Sequence, residues 1–228
     1  MESSLLLMLL QSGLFITTWR LIHIRVSTKG ASPLARRINK IHSRIYSVLS
    51  LFLCYLALSP QHRHTATARV LYHVSKFYEY IDIVTVRAGG SDIDLHFGFH
   101  HLTTPYLTYF RVLNSDYGQS GRRISGQGDD GWWIFAALNT AHHALMYAYF
   151  GGASFVRPVL DFTGCVQLVV GIAVEAWILR SKELETFGVE SWPHIFAAAL
   201  LGSYFCLWAR EMRMRRIMRQ AQLKVKSL

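Results

Sequence analysis

Cysteine is scarce: the 228 residues hold three, Cys54, Cys165 and Cys206, each within an apolar run. An odd, dispersed set in that context excludes a disulfide framework and leaves three small core side chains. Acidic residues are scarce too, 14 Asp and Glu against 24 Lys and Arg, for a net charge of +10. In a soluble chain that balance would raise nucleic acid as a partner. Here the basic residues border apolar runs, so no nucleic acid is expected and the charge is assigned to membrane orientation. A phosphate-cradling loop is missing, because the Gly-rich stretch 114–131 has no strand–loop–helix context, and it is assigned no chemistry. No cleavable leader is expected either. Glu2 stands where a basic n-region belongs and no A-x-A-like site follows, so the N-terminal run reads as a retained first helix.

What is present is apolar sequence in blocks. The hydrophobic share, 51%, is ordinary for soluble domains, so the clustering decides. Runs recur at about 4–19, 45–58, 68–86, 95–113, 132–155, 159–179 and 195–208, several near the ~20 residues that span hydrocarbon. The expectation is an all-α integral membrane protein with about seven transmembrane helices in a single polytopic domain, 1–228. Its parts are a first helix at 1–24, a basic cytosolic loop at 25–44, a helical core at 45–210 and a basic cytosolic tail at 211–228. Arg20 to Arg44 and Arg210 to Arg219 supply the positive charge, which puts the N-terminus in the lumen and the C-terminus in the cytosol. The basic face from Arg36 to Arg44 is expected to bind membrane lipid headgroups.

Ionisable residues inside such runs usually mark function. Lys76, Glu79 and Asp82 are spaced i, i+3, i+6 in the third run, so Glu79 can pair with either neighbour. A structural ion network and direct substrate contact are both open there, and they are compatible. His96, His100 and His101 open the fourth run. On a helix His96 and His100 share a face, and His101 is turned away by about 100°. In the fifth, Asn139, His143 and Tyr147 share a face, with His142 beside them. The sixth hides Gln167 and Glu175. Imidazole can act as base, nucleophile or ligand near neutral pH.

Together these stretches resemble the fatty acid elongase (ELO) family, the membrane condensing enzymes that make 3-oxoacyl-CoA. K-x-x-E-x-x-D is present as Lys76, Glu79 and Asp82. The HH of the histidine box is His100-His101, and N-x-x-x-H-x-x-M-Y-x-Y is Asn139, His143, Met146, Tyr147 and Tyr149. Gln167 echoes a glutamine-bearing sixth helix. Two departures stand out: Phe97 occupies the first position of the H-x-x-H-H box, with His96 one residue earlier, and Val170 stands where a second glutamine is often found.

The resemblance implies six of seven helices ringing a narrow acyl tunnel, open to the cytosol, with Arg87 or Arg111 near CoA phosphates and Arg87 favoured. It implies no bound cofactor and no metal, with malonyl-CoA and acyl-CoA as substrates. His100 would be the nucleophile and His143 its partner, supported by His101, Asn139 and Tyr147. His96, Lys76, Glu79, Asp82 and Gln167 would complete the site. Expected partners are membrane lipids and the ketoreductase, dehydratase and enoyl reductase of the elongation cycle, and a homodimer is compatible. Two rival readings remain. One is a di-iron desaturase or hydroxylase, which needs more ligands than five clustered histidines supply. The other is a catalytically inactive lipid-binding relative, suggested by Phe97. Finally, Lys224 and Lys226 resemble a K-x-K-x-x retrieval signal, which points to the endoplasmic reticulum.

Overall fold

The computed structural model describes residues 2–63, 65–113, 131–181 and 187–226. The segment 114–130 and the side chains of Arg111, Lys224 and Lys226 lie outside that description. Among the described residues the fold is helical, with no strand. The helices are α1 (Glu2–Lys29), α2 (Pro33–Leu58), α3 (Ala66–Tyr78), α4 (Tyr80–Ala88), α5 (Leu95–Leu113), α6 (Trp132–Phe150), α7 (Arg157–Ser181) and α8 (Phe187–Lys226).

Local chemistry sets the breaks. Ser32 caps α2 by accepting from the Ala35 amide, and Pro33 takes the first helical position, where its missing N–H costs nothing. Thr65 caps α3 in the same way. The α4–α5 turn passes so close to the α1–α2 break that a side chain on Gly90, at φ +95°, would meet the Ala31 Cβ at 2.6 Å. Only glycine suits that conformation and that approach.

Packing closes a ring. α2 lies along α6, then α6 on α7, α7 on α8, α8 on α5, α5 on α3 and α3 back on α2, with α4 continuing α3. α1 stays outside, against α4 and α5, and its leucines 6, 7, 9, 10 and 14 are exposed. The polarity is the reverse of a soluble protein. Leucine and isoleucine face outward, while Lys76, Glu79, Asp82, Asn139, Thr140, His143 and Gln167 are buried. That is the arrangement expected when the solvent is lipid. Four helical stretches are long and apolar enough to cross a membrane: Leu6–Lys29, Pro33–Leu58, Ser154–Arg180 and Ser191–Met218. The three remaining elements of the ring, α3–α4, α5 and α6, carry many of the inward polar residues, and α2 and α7 add His42, Gln167 and Glu175. The chain is an all-α membrane protein, as its apolar blocks indicate.

Three expectations change. The basic segment 25–44, read as a loop, is helical except at 30–32, because its charged residues share helices with the apolar runs on either side. The tail from 211 continues α8 to Lys226. The third run is two helices, not one, with the break at Glu79, which ends α3 and begins α4.

Candidate active site

That break is where the site is built. Glu79 is fully buried, and its Oε1 gathers three groups from three helices. Lys76 Nζ donates at 2.7 Å, the Tyr46 hydroxyl of α2 donates at 2.7 Å, and His143 Nδ1 of α6 lies at 3.1 Å. Lys76, itself buried, also donates to Asn139 Oδ1 at 2.9 Å and sits 4.7 Å from the centre of the Tyr72 ring. Tyr72 donates to the same Asn139 oxygen at 2.9 Å. The Asn139 amide nitrogen donates to Gln167 Oε1 at 2.9 Å and lies 3.4 Å from His143 Nε2. With Asn139 donating, His143 Nε2 is the acceptor and its proton sits on Nδ1, facing Glu79. The carboxylate lies beside that nitrogen, 3.1 Å away, without the alignment of a hydrogen bond.

Asp82 does not join Lys76 and Glu79. The break turns it toward α2 and α6, where Oδ1 is 2.9 Å from His42 Nε2 and Oδ2 accepts the Tyr147 hydroxyl. The i, i+3, i+6 spacing therefore serves two networks. Lys76–Glu79 orients His143, and His42–Asp82–Tyr147 ties α2, α4 and α6 together.

The histidine helix faces this pair across a cavity of about 1120 Å³. His96, Phe97, His100 and His101 all line it, as do Asn139, His142, His143 and Gln167. The His100 ring is 6.3 Å from that of His143 and lies edge-on to Tyr204 at 4.9 Å. Tyr204 is held through its hydroxyl, 2.7 Å from Thr103 Oγ1. Both members of the shifted box reach the cavity. The His96 ring is 6.2 Å from His100, while Phe97 lies edge-on to His101 at 4.5 Å. Buried His101 Nδ1 has no hydrogen-bond partner, and neither has Glu79 Oε2.

One ring nitrogen each of His100 and His143 and a carboxylate oxygen of Glu79 lie within 4.8 Å of one another. That spacing is compatible with a metal; the Lys76 ammonium, 2.7 Å from Glu79 Oε1, would oppose a divalent cation there, while Oε2 is unengaged. The same trio matches a nucleophile, a base and an orienting carboxylate.

The cavity mouth is mixed in charge, lined by Arg36, Lys40, Arg157 and Arg215 together with Asp92, Asp94, Asp161 and Glu211. Arg87, favoured from the sequence for CoA phosphates, does not line it. It is buried against α1, with Nε 3.2 Å from His23 Nδ1 and its cation 3.2 Å from Asp92. Part of the α2 basic face likewise turns inward. Arg36 donates to the Gly89 carbonyl at 2.7 Å and Arg44 to that of Gly151 at 2.9 Å, which stitches α2 to two turns at the mouth.

Sequence reasoning missed His42, Tyr46, Tyr72 and Tyr204, and also His194, which is 2.8 Å from Glu175 in the apolar half of α8. The signal for the α2 pair is there: buried His42, Tyr46, Ser50, Leu53 and Ala57 recur every three or four residues, opposite the exposed basic face. The model of the ELO family, described as the GNS1/SUR4 family, matches residues 4–215. No curated protein matches the chain.

Proposed function

The chain belongs to the ELO (GNS1/SUR4) family, matched over nearly its whole length, and from that premise we propose that it condenses malonyl-CoA with a long-chain acyl-CoA. The products are 3-oxoacyl-CoA, CoA and CO2. The observation that carries this reading is the facing of His100, on the cavity wall, and the Glu79–His143 pair behind it.

CoA phosphates meet Arg36, Lys40, Arg157 and Arg215 at the mouth, and the acyl chain threads into the ring. A His100 ring nitrogen attacks the thioester carbon. The C–S bond breaks, CoA leaves as a thiol after taking up a proton, and the acyl group is held on the imidazole. Malonyl-CoA then loses CO2, and its enolate carbon attacks the acyl carbon and expels His100. One proton is consumed overall. His143, with Nδ1 beside the Glu79 carboxylate, moves protons between His100 and the leaving thiol. The Gln167 amide, whose oxygen is held by Asn139, offers N–H donors to charge that develops on oxygen.

The same reading sets the cavity mouth in the cytosol and the N-terminus in the lumen of the endoplasmic reticulum, in line with the positive-inside rule. There the ketoreductase, dehydratase and enoyl reductase of the cycle would consume the product.

The test is incorporation of labelled malonyl-CoA by membranes that lack their own elongases, with a panel of acyl-CoA lengths. Labelled 3-oxoacyl-CoA that depends on acyl-CoA and survives a chelator is the expected result. No incorporation by folded protein would sink the proposal, and bound iron with chelator-sensitive activity would revive the di-iron reading.

Phe97 gives a narrower test. A histidine at position 97 would offer the unpartnered His101 Nδ1 a hydrogen bond, worth about 1 kcal/mol. Phe97→His is expected to raise thermal stability and turnover together. If both fall, the aromatic edge on His101 is what the site requires.

A further inference from the structure

We infer that Phe135 is the end stop of the acyl tunnel and sets the longest chain this protein extends. The inference rests on the elongase reading above.

Phe135 lines the catalytic cavity and also a second, separate void of only about 20 Å³, so its ring is the partition between them. It lies on α6 eight positions before His143, and at ~1.5 Å per residue that is about 12 Å deeper along the axis. A chain that reaches from a membrane surface to the midplane needs about half of the ~30 Å hydrocarbon core, roughly 15 Å. An extended long acyl chain attached at His100, opposite His143, therefore meets Phe135 before it is fully housed.

What lies behind the ring makes it a wall and not a bystander. The small void is lined by Leu107 and Leu201, but also by Arg69, Tyr72, Thr108 and Glu175. Glu175 holds His194 at 2.8 Å, and the Tyr72 hydroxyl is tied to Asn139 at 2.9 Å. A terminal methyl that passed Phe135 would enter a small polar space whose groups are already engaged with one another and with the site.

The ring is held from behind by a glycine. A Cβ at Gly171 of α7 would lie 2.7 Å from Phe135 Cδ2 and 3.1 Å from Leu201 Cδ1. Both distances are below ordinary contact, so a methyl group there must push the ring toward the tunnel or shift α7. Glycine at this position lets the ring stand back against α7.

The two positions thus predict shifts of opposite sign. In the labelled malonyl-CoA assay with saturated acyl-CoA thioesters of increasing even length, Phe135→Ala should raise the ratio of long to short substrate use about 10-fold or more. That is the usual discrimination when one apolar pocket gains or loses small groups. The longest product should grow by at least one two-carbon unit. Gly171→Ala should shift the ratio the other way. Each ratio is taken within one preparation, so expression differences cancel. If Phe135→Ala does not accumulate in the membrane, Phe135→Leu and Gly171→Ala carry the test. Unchanged length profiles in variants that still incorporate label would overturn the end-stop assignment alone. If wild-type protein incorporates no label, it is the elongase reading that fails.

Discussion

His100→Ala and His143→Ala should both end condensation, but at different costs to the fold. His100 stands on the cavity wall, and among the described residues no group hydrogen-bonds its ring. Its removal takes away the attacking atom and little that holds the helices together, so 3-oxoacyl-CoA formation should fall to background with the melting temperature nearly unchanged. His143 is buried between Glu79 and Asn139. Its loss deprives a buried carboxylate of one neighbour, a cost of about 1–3 kcal/mol, and removes proton transfer worth about 10²–10⁴-fold. The two therefore separate by stability while agreeing in activity. A double variant should be no slower than His100→Ala alone, because residues that act as one unit do not add. Near-normal product from His100→Ala would show that some other group takes the acyl chain. Normal product from His143→Ala would remove the proton-transfer role.

How much of this was legible in the sequence follows from what each signal measures. Span 159–179 was nearly placed by its apolar run alone, because a lipid-facing helix must be apolar along its length. The start of α2 was not. Its first twelve residues are basic and polar, and they are helical because Ser32 and Pro33 start the helix and the apolar half continues it. The shared face of Asn139, His143 and Tyr147 survived intact, since a continuous helix preserves one-turn spacing, and all three are buried. The Lys76–Asp82 triplet did not, since it crosses the break at Glu79, where periodicity stops carrying direction. Asp82 found partners on α2 and α6 that lie 40 and 65 positions away in the chain. Spacing along one helix holds no information about which neighbour it meets. The box position occupied by Phe97 could be read only as a loss. The structure adds that both Phe97 and His96 line the same cavity.

Glu79→Gln should be the most damaging single change to stability. Glutamine keeps the shape and one acceptor oxygen, so Tyr46 and Lys76 can still reach it. The negative charge is what disappears. Lys76 is buried and its remaining partners, Asn139 Oδ1 and the Tyr72 ring, are neutral, so the ammonium would be left as an uncompensated charge. Breaking a buried pair in this way costs about 3–5 kcal/mol. Reduced accumulation in the membrane and a lower melting temperature should accompany the loss of activity. Lys76→Met made together with Glu79→Gln removes both members and should recover most of that stability, since a neutral replacement for a buried pair is often tolerated. Activity should not return, because His143 no longer has a carboxylate beside it to stabilise the imidazolium formed in proton transfer. Asp82→Asn is the companion measurement: its partners His42 and Tyr147 pack on Tyr46, the Glu79 donor, so its cost should couple to that of Glu79→Gln and not simply add. A Glu79→Gln protein that melts like wild type yet makes no product would mean that the carboxylate acts on the substrate directly and that Lys76 does not depend on it.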